Sequence, residues 1–78
     1  MLKIYRVDTD NYMVATPTLS IHGNAMRTAI VMNRVGIDWD EIEAGLVSLE
    51  TNNHHVAEYG INGTFLFSKS IYDVFSAA

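Results

Sequence analysis

The chain has 78 residues, no cysteine and a net charge of −4 at neutral pH. This length fits one small domain with a thin core, and without cysteine there are neither disulfides nor thiolate metal sites. No stretch approaches the roughly 20 apolar residues of a membrane span, and the N-terminus lacks the apolar run of a signal peptide. We therefore expect a soluble, unprocessed protein that does not enter membranes, with the cytoplasm as its default location.

The charges are distributed unevenly along the chain. No lysine or arginine lies between Arg34 and Lys69. The same segment contains the acidic residues Asp38, Asp40, Glu41, Glu43, Glu50 and Glu58. Because phosphate groups are bound mainly by lysine and arginine, this composition predicts against nucleic acid as a partner.

The N-terminal residues predict a β-hairpin. Residues 2 to 7 alternate in the manner of a strand, and a turn rich in aspartate and asparagine follows. Residues 12 to 16 predict a second strand, which Pro17 ends because proline cannot donate a ladder hydrogen bond.

A first helix is predicted to begin between Thr18 and Asn24 and to run to Val35. Its apolar residues cover a broad face, so we expect the helix to be mostly buried. The members of that face are Ala25, Met26, Ala29, Ile30 and Met32, extended by Val31 and Val35. Asn33 projects into it, and we expect this side chain to be hydrogen-bonded there; the alternative is that it marks a surface that meets a partner.

The junction between this helix and the next is the best-specified part of the chain. Gly36 suits the left-handed residue that ends a helix. Asp38 is the predicted N-cap of the second helix, with Glu41 reaching back to it in a capping box. Ile37 and Ile42 occupy the positions of a hydrophobic staple.

The second helix is predicted from Trp39 to about Glu50. Its buried stripe comprises Trp39, Ile42, Leu46 and Leu49, with Gly45 allowing close approach of the first helix. Beside this stripe is a face that we call the acidic ridge, which consists of Asp40, Glu43, Val47 and Glu50. Such a face is ordinarily only solvated, and the functional alternative is a docking surface for a basic groove.

A second hairpin is predicted from residues 56 to 61 and 64 to 68. Asn62-Gly63 between them is typical of a two-residue type I′ turn. The resulting register pairs Tyr59 with Leu66, Ala57 with Ser68, Glu58 with Phe67 and Gly60 with Phe65. Residues 70 to 75 then predict a short final helix. The whole is a single α+β domain of residues 1 to 78, in the order β-β-α-α-β-β-α, with two helices on a small antiparallel sheet.

The segment from Thr28 to Leu46 resembles the helix-turn-helix of DNA-binding proteins. Gly36 corresponds to the turn glycine, Ile37 follows it, and Ile42 lies six residues beyond it. The downstream hairpin corresponds to the wing of a winged helix, and the resemblance implies a transcription regulator. The second helix departs from the family because it has no basic residue to contact bases or phosphates. DNA binding is therefore an alternative to our main prediction.

The sequence contains no pattern typical of an enzyme, a cofactor site or a metal site. His54 and His55 are neighbours whose side chains diverge in a strand, and His22 is isolated. There is no glycine-rich phosphate loop, GxSxG or HExxH motif. We predict a non-enzymatic protein without cofactors, in which the histidines lie on the surface or at the start of the hairpin.

Binding to another protein is the remaining class. The acidic ridge combines charge, which steers association, with an apolar anchor. The predicted partner-binding residues are Trp39, Asp40, Glu43, Val47, Glu50 and Tyr59. We predict an inhibitor or adaptor that occludes a basic surface of a partner protein, similar in type to compact phage-encoded inhibitors. A second alternative is a self-associating subunit that buries Phe65 and Phe67 against another copy.

Overall fold

A computed structural model describes residues 2 to 70 and residue 72. Within them the chain forms β1 (Leu2–Arg6), β2 (Tyr12–Thr16), β3 (Leu19–Gly23), α1 (Ala25–Arg34), α2 (Trp39–Thr51), β4 (Val56–Tyr59) and β5 (Phe65–Lys69). The strands make one antiparallel sheet in the order β3-β2-β1-β4-β5. Two helices pack on this sheet, and the predicted α+β class is confirmed.

The first hairpin is confirmed and is closed by Asp8. The Asp8 carboxylate accepts hydrogen bonds from the Asn11 side chain at 2.7 Å and from the amide of Asp10 at 3.0 Å. These bonds hold the pKa of the Asp8 carboxyl below its usual value, because they stabilise the charged form. The short polar turn thus fixes the pairing of β1 with β2.

The predicted element order was wrong at β3, which occupies residues where the start of a helix was expected. In this strand Ile21 pairs with Val14, and His22 pairs with Met13. Helix α1 begins only after Asn24, whose side-chain oxygen accepts from the Arg27 amide at 2.9 Å. A run of five residues is too short for its periodicity to distinguish a strand from a helix, and pairing with β2 decided the outcome.

The core lies between the sheet and the helices. Alternate residues of the central strands point toward α1 and α2, because successive side chains of a strand face opposite sides. Ile4 is fully buried, and its partners in the neighbouring strands are Val14 and Ala57. From the helices, Met32, Ile42 and Leu49 complete this layer, each at most 1% exposed.

Helix α1 is less buried than predicted. Met32 and Thr28 are buried, but Met26 is 73% exposed and Ile30 is 40% exposed. The prediction was wrong because the apolar residues of α1 extend around more of the helix than the sheet can cover. Asn33 behaves as expected, since its Nδ2 donates to the carbonyl of Ile37 at 3.1 Å.

The second hairpin has a three-residue loop in place of the predicted two-residue turn. The Gly60 amide donates to the Thr64 carbonyl at 2.9 Å, and the Gly63 amide donates to the Gly60 carbonyl at 3.0 Å. Gly63 has φ +84°, whereas Asn62 keeps a negative φ. A type I turn followed by a left-handed glycine is a common alternative for this dipeptide.

This longer loop shifts the register beside it. Tyr59 pairs with Phe65, so the predicted pairing of Tyr59 with Leu66 was wrong. An irregularity at Leu66 then restores the predicted pairing of Glu58 with Phe67. An extra residue in a strand turns the side chains that precede it to the opposite face of the sheet. Phe65 therefore packs against the core, while Phe67 lies on the helix-free side. The two phenylalanines do not form the joint patch that the self-association alternative requires.

The predicted final helix, residues 70 to 75, falls mostly outside the described part of the chain. Of it, Ser70 and Tyr72 are described, and Tyr72 is 79% exposed.

Candidate functional site

The junction that carries α2 is a Schellman motif centred on Gly36. The Ile37 amide donates to the Met32 carbonyl and the Gly36 amide to the Asn33 carbonyl, both at 3.1 Å. This pattern satisfies the last carbonyl groups of α1 and requires the left-handed conformation that Gly36 adopts at φ +104°. Ile37, 5% exposed, then anchors the turn in the core. The predicted helix end is confirmed, and it holds the start of α2 in a fixed place.

The first turn of α2 differs from the predicted capping box. Asp38 occupies the N-cap position, but its side chain makes no capping hydrogen bond. Glu41 does not reach back to Asp38, and its Oε1 accepts from the Phe65 amide of β5 at 2.7 Å. The free amide of the edge strand lies within reach of Glu41, and the bond to it ties α2 to the sheet. The predicted hydrogen bonds of the capping box were therefore wrong, although the predicted start of the helix was right.

The acidic ridge lies on the outer face of α2. Asp40, Glu43 and Glu50 are exposed, and Val47 between them is 50% exposed. Opposite them, the buried residues of the helix are Ile42, Gly45 and Leu49. The structure thus places the four predicted ridge residues on one solvent-facing surface.

Trp39 joins this surface and not the core. Its side chain is 54% exposed, so its assignment to the buried stripe was wrong. At 100° per residue Trp39 lies roughly 60° from Ile42, on the side toward Glu43. This marginal position leaves a large aromatic group at the border of the ridge.

Tyr59, in contrast, is not part of the surface. It is 1% exposed, and its hydroxyl donates to the Glu41 carbonyl at 2.7 Å. Gly45 provides the space for this hydroxyl, since a Cβ at Gly45 would overlap with it. Burial raises the pKa of Tyr59 well above its ordinary value. The prediction that Tyr59 contacts a partner was therefore wrong, as was the expectation that Gly45 faces α1.

The ridge carboxylates have no cationic partner within the described part of the chain. Ion pairs between described residues join Glu58 to Lys3 at 4.0 Å and to Lys69 at 3.2 Å, and these lie on the helix-free face of the sheet. In addition, no basic residue occupies the last turn of α2. The negative charge of the ridge is consequently available to an external group.

A polar network below the end of α2 was not predicted. The Ser68 hydroxyl lies 2.5 Å from both His54 Nδ1 and the Ser48 hydroxyl. The network joins α2 and β5 to the residues before β4. Sequence patterns do not reveal it, because Ser48 and Ser68 become neighbours only when α2 packs on β5. His54 is thus half-buried with a structural partner, whereas His22 is exposed on β3.

An open concavity of about 320 Å³ lies at the end of the molecule that carries the Gly36 junction. The described residues that line it include Leu2, Pro17, Val35 and Ile61, and none of the described lining residues has an ionisable side chain. Among the residues that the structure describes, no cluster of histidine and acidic side chains is arranged to hold a metal ion.

Comparison with protein-family models, with curated proteins and with solved structures gave no match to this chain. None of the helices in the described residues is long and apolar enough to cross a membrane.

Proposed function

We propose that this chain is a non-enzymatic protein-binding module, an inhibitor or adaptor that occludes a basic surface of a partner protein. The binding surface is the acidic ridge together with Trp39. The observation that carries the proposal is the half-exposed pair Trp39 and Val47, set among carboxylates that have no described ion-pair partner.

The chemistry of the surface supports this choice. Tryptophan is enriched among the side chains that dominate binding energy at interfaces, and unpaired charge around it accelerates encounter with a partner of opposite charge. The same charge disfavours DNA, because α2 presents neither lysine nor arginine to a phosphate.

The position of Glu50 also supports a functional role for the acidic ridge. It lies in the last turn of α2, where the helix dipole is negative and an acidic side chain is unfavourable. A residue that costs stability at an exposed position is expected where function needs it.

The test is affinity capture from an extract of the native host, with the captured proteins identified by mass spectrometry. The wild-type chain is compared with a variant carrying Asp40→Lys, Glu43→Lys and Glu50→Lys, and circular dichroism verifies the fold of both. We expect the variant to lose a partner that the wild type captures, and we expect salt to weaken that capture. Equal capture by a folded variant would contradict the proposal.

The apolar anchor has its own matched control. Trp39→Ala is expected to weaken binding by about 2 kcal/mol, the scale of an interface hot spot. Ile61→Ala removes a side chain that is 95% exposed elsewhere on the molecule and is expected to leave the affinity unchanged. Similar losses from both variants would argue against a localised surface on α2.

A further inference from the structure

The outer face of α1 carries a second surface, opposite in charge to the first. Arg27 and Arg34 are exposed there, with the 40% exposed Ile30 between them. Neither arginine takes part in an ion pair between described residues. We call Arg27, Ile30 and Arg34 the basic triplet. Met26, 73% exposed, extends its apolar part.

The basic triplet matches the acidic ridge in spacing as well as in charge. Its members are separated by three and then four residues. Glu50, Val47 and Glu43, taken from the C-terminal end of α2, are also separated by three and then four. At 1.5 Å per residue, each set spans about 10 Å. Antiparallel pairing of the two helices therefore places a glutamate opposite each arginine and Val47 opposite Ile30.

These two surfaces do not meet within one chain. Helices α1 and α2 are neighbours in one layer on the sheet, and their exposed faces point away from it. A two-fold axis that places α1 of one protomer on α2 of its partner also places α2 of the first protomer on α1 of the second. Such an interface is isologous, so the same contact forms twice.

The geometry points to a symmetric dimer in which the basic triplet of each protomer docks on the acidic ridge of its partner. The molecule measures 32 × 25 × 23 Å, and a stable interface needs roughly 800 Å² from each partner. A face bounded by the two longer of these dimensions is of comparable area. Met26 and Trp39, both more than half exposed, supply apolar area at its borders.

The dimer uses the same ridge as the proposed partner site. Self-association and partner binding therefore exclude each other, and a partner with a basic surface must compete with the basic triplet. The dimer does not depend on the existence of that partner, because the basic triplet is a separate surface on α1.

The test is a charge swap followed by mixing. One variant carries Arg27→Glu and Arg34→Glu, and the other carries Glu43→Lys and Glu50→Lys. Each alone brings like charges together, and we expect its dimer dissociation constant to rise about tenfold or more at low salt. An equimolar mixture restores opposite charges at both contacts and is expected to form a heterodimer. Sedimentation equilibrium measures the masses, and circular dichroism verifies each fold.

Two controls complete the experiment. Asp10→Lys changes the charge of an exposed turn on a different part of the chain and is expected to leave the wild-type dimer intact. In about 1 M salt the Debye length is only about 3 Å. Under these conditions the dimer dissociation constants of the two charge-swapped variants should lie closer to that of the wild type. If the lysine substitutions unfold the protein, the experiment uses Glu43→Gln and Glu50→Gln in their place. These variants remove the negative charges without reversing them, so they should weaken the dimer less than charge reversal would.

A wild-type mass that stays monomeric up to millimolar concentration would overturn the dimer, as would a mixture that associates no better than its components. Neither result would affect the proposed function, since a monomeric Arg27→Glu, Arg34→Glu variant keeps the ridge and should still capture the partner. Conversely, a dimer that forms while ridge reversal leaves capture unchanged would contradict only the proposed function.

Discussion

At the scale of single residues, the contact between Tyr59 and Gly45 holds the two layers together. The Tyr59 ring lies against Phe65 with 5.6 Å between ring centroids, and its hydroxyl reaches the backbone of α2. Gly45 leaves room for this contact only because it lacks a Cβ, and it packs on a side chain from the sheet. The requirement for a small residue was visible in the sequence, but the neighbour that imposes it was not.

Gly45→Ala is expected to destabilise the fold by about 1–3 kcal/mol, because the new Cβ would overlap the Tyr59 hydroxyl and lie 2.8 Å from Cζ. Elsewhere in a helix the same change stabilises by about 1 kcal/mol, so the sign of the effect is diagnostic. Urea denaturation measures it. In a Tyr59→Phe background the loss should be smaller, and an equal loss in both backgrounds would show that the overlap is not its cause.

At the scale of elements, α2 serves two purposes with its two sides. Glu41 bonds to β5, and Ile42 and Leu49 fill the core, while the ridge faces solvent. The start and the acidic face of this helix follow from local residues and were predicted. The bond from Glu41 to the Phe65 amide was not, because it depends on β5 lying next to α2.

Glu50→Gln is expected to raise the free energy of unfolding by about 0.3–1 kcal/mol, since it removes a negative charge from the negative end of the helix dipole. Asp40→Asn, in the first turn of the same helix, is the matched control and should lower it or leave it unchanged. Urea denaturation at low salt measures both, and added salt should reduce the difference. Changes of equal sign and size would indicate general charge repulsion and not the dipole.

At the scale of the whole molecule, charge is segregated by layer. Among the described residues, the acidic and basic surfaces of the helices take part in no ion pair, whereas the helix-free face of the sheet holds the pairs of Glu58 with Lys3 and Lys69. Between these faces lies a thin core, through which the Tyr59 side chain extends from the sheet to the backbone of α2. Ionisation of Tyr59 would place a charge in that core, so it is coupled to opening of the entire fold.

Stability is therefore expected to fall at alkaline pH. The unfolded-state pKa of tyrosine is about 10, and burial raises the pKa of Tyr59 in the folded state. The contribution of Tyr59 to the free energy of unfolding is constant below about pH 10. It is lost as the pH rises from there toward the folded-state pKa. Denaturation midpoints measured across this range should fall less steeply for Tyr59→Phe than for the wild type. Parallel profiles would refute the coupling.

The junction at Gly36, the outer acidic face of α2 and the presence of two hairpins could all be predicted from the amino-acid sequence. Each of these depends on residues close together in the chain, through a glycine at positive φ, a helical spacing of charges or a turn dipeptide. Three other outcomes depend on packing between distant parts of the chain: residues 19 to 23 form a strand, Tyr59 is buried, and α1 leaves its basic triplet exposed. These outcomes depend on which elements become neighbours and on how much of each helix a five-stranded sheet can cover, and no local pattern contains that information.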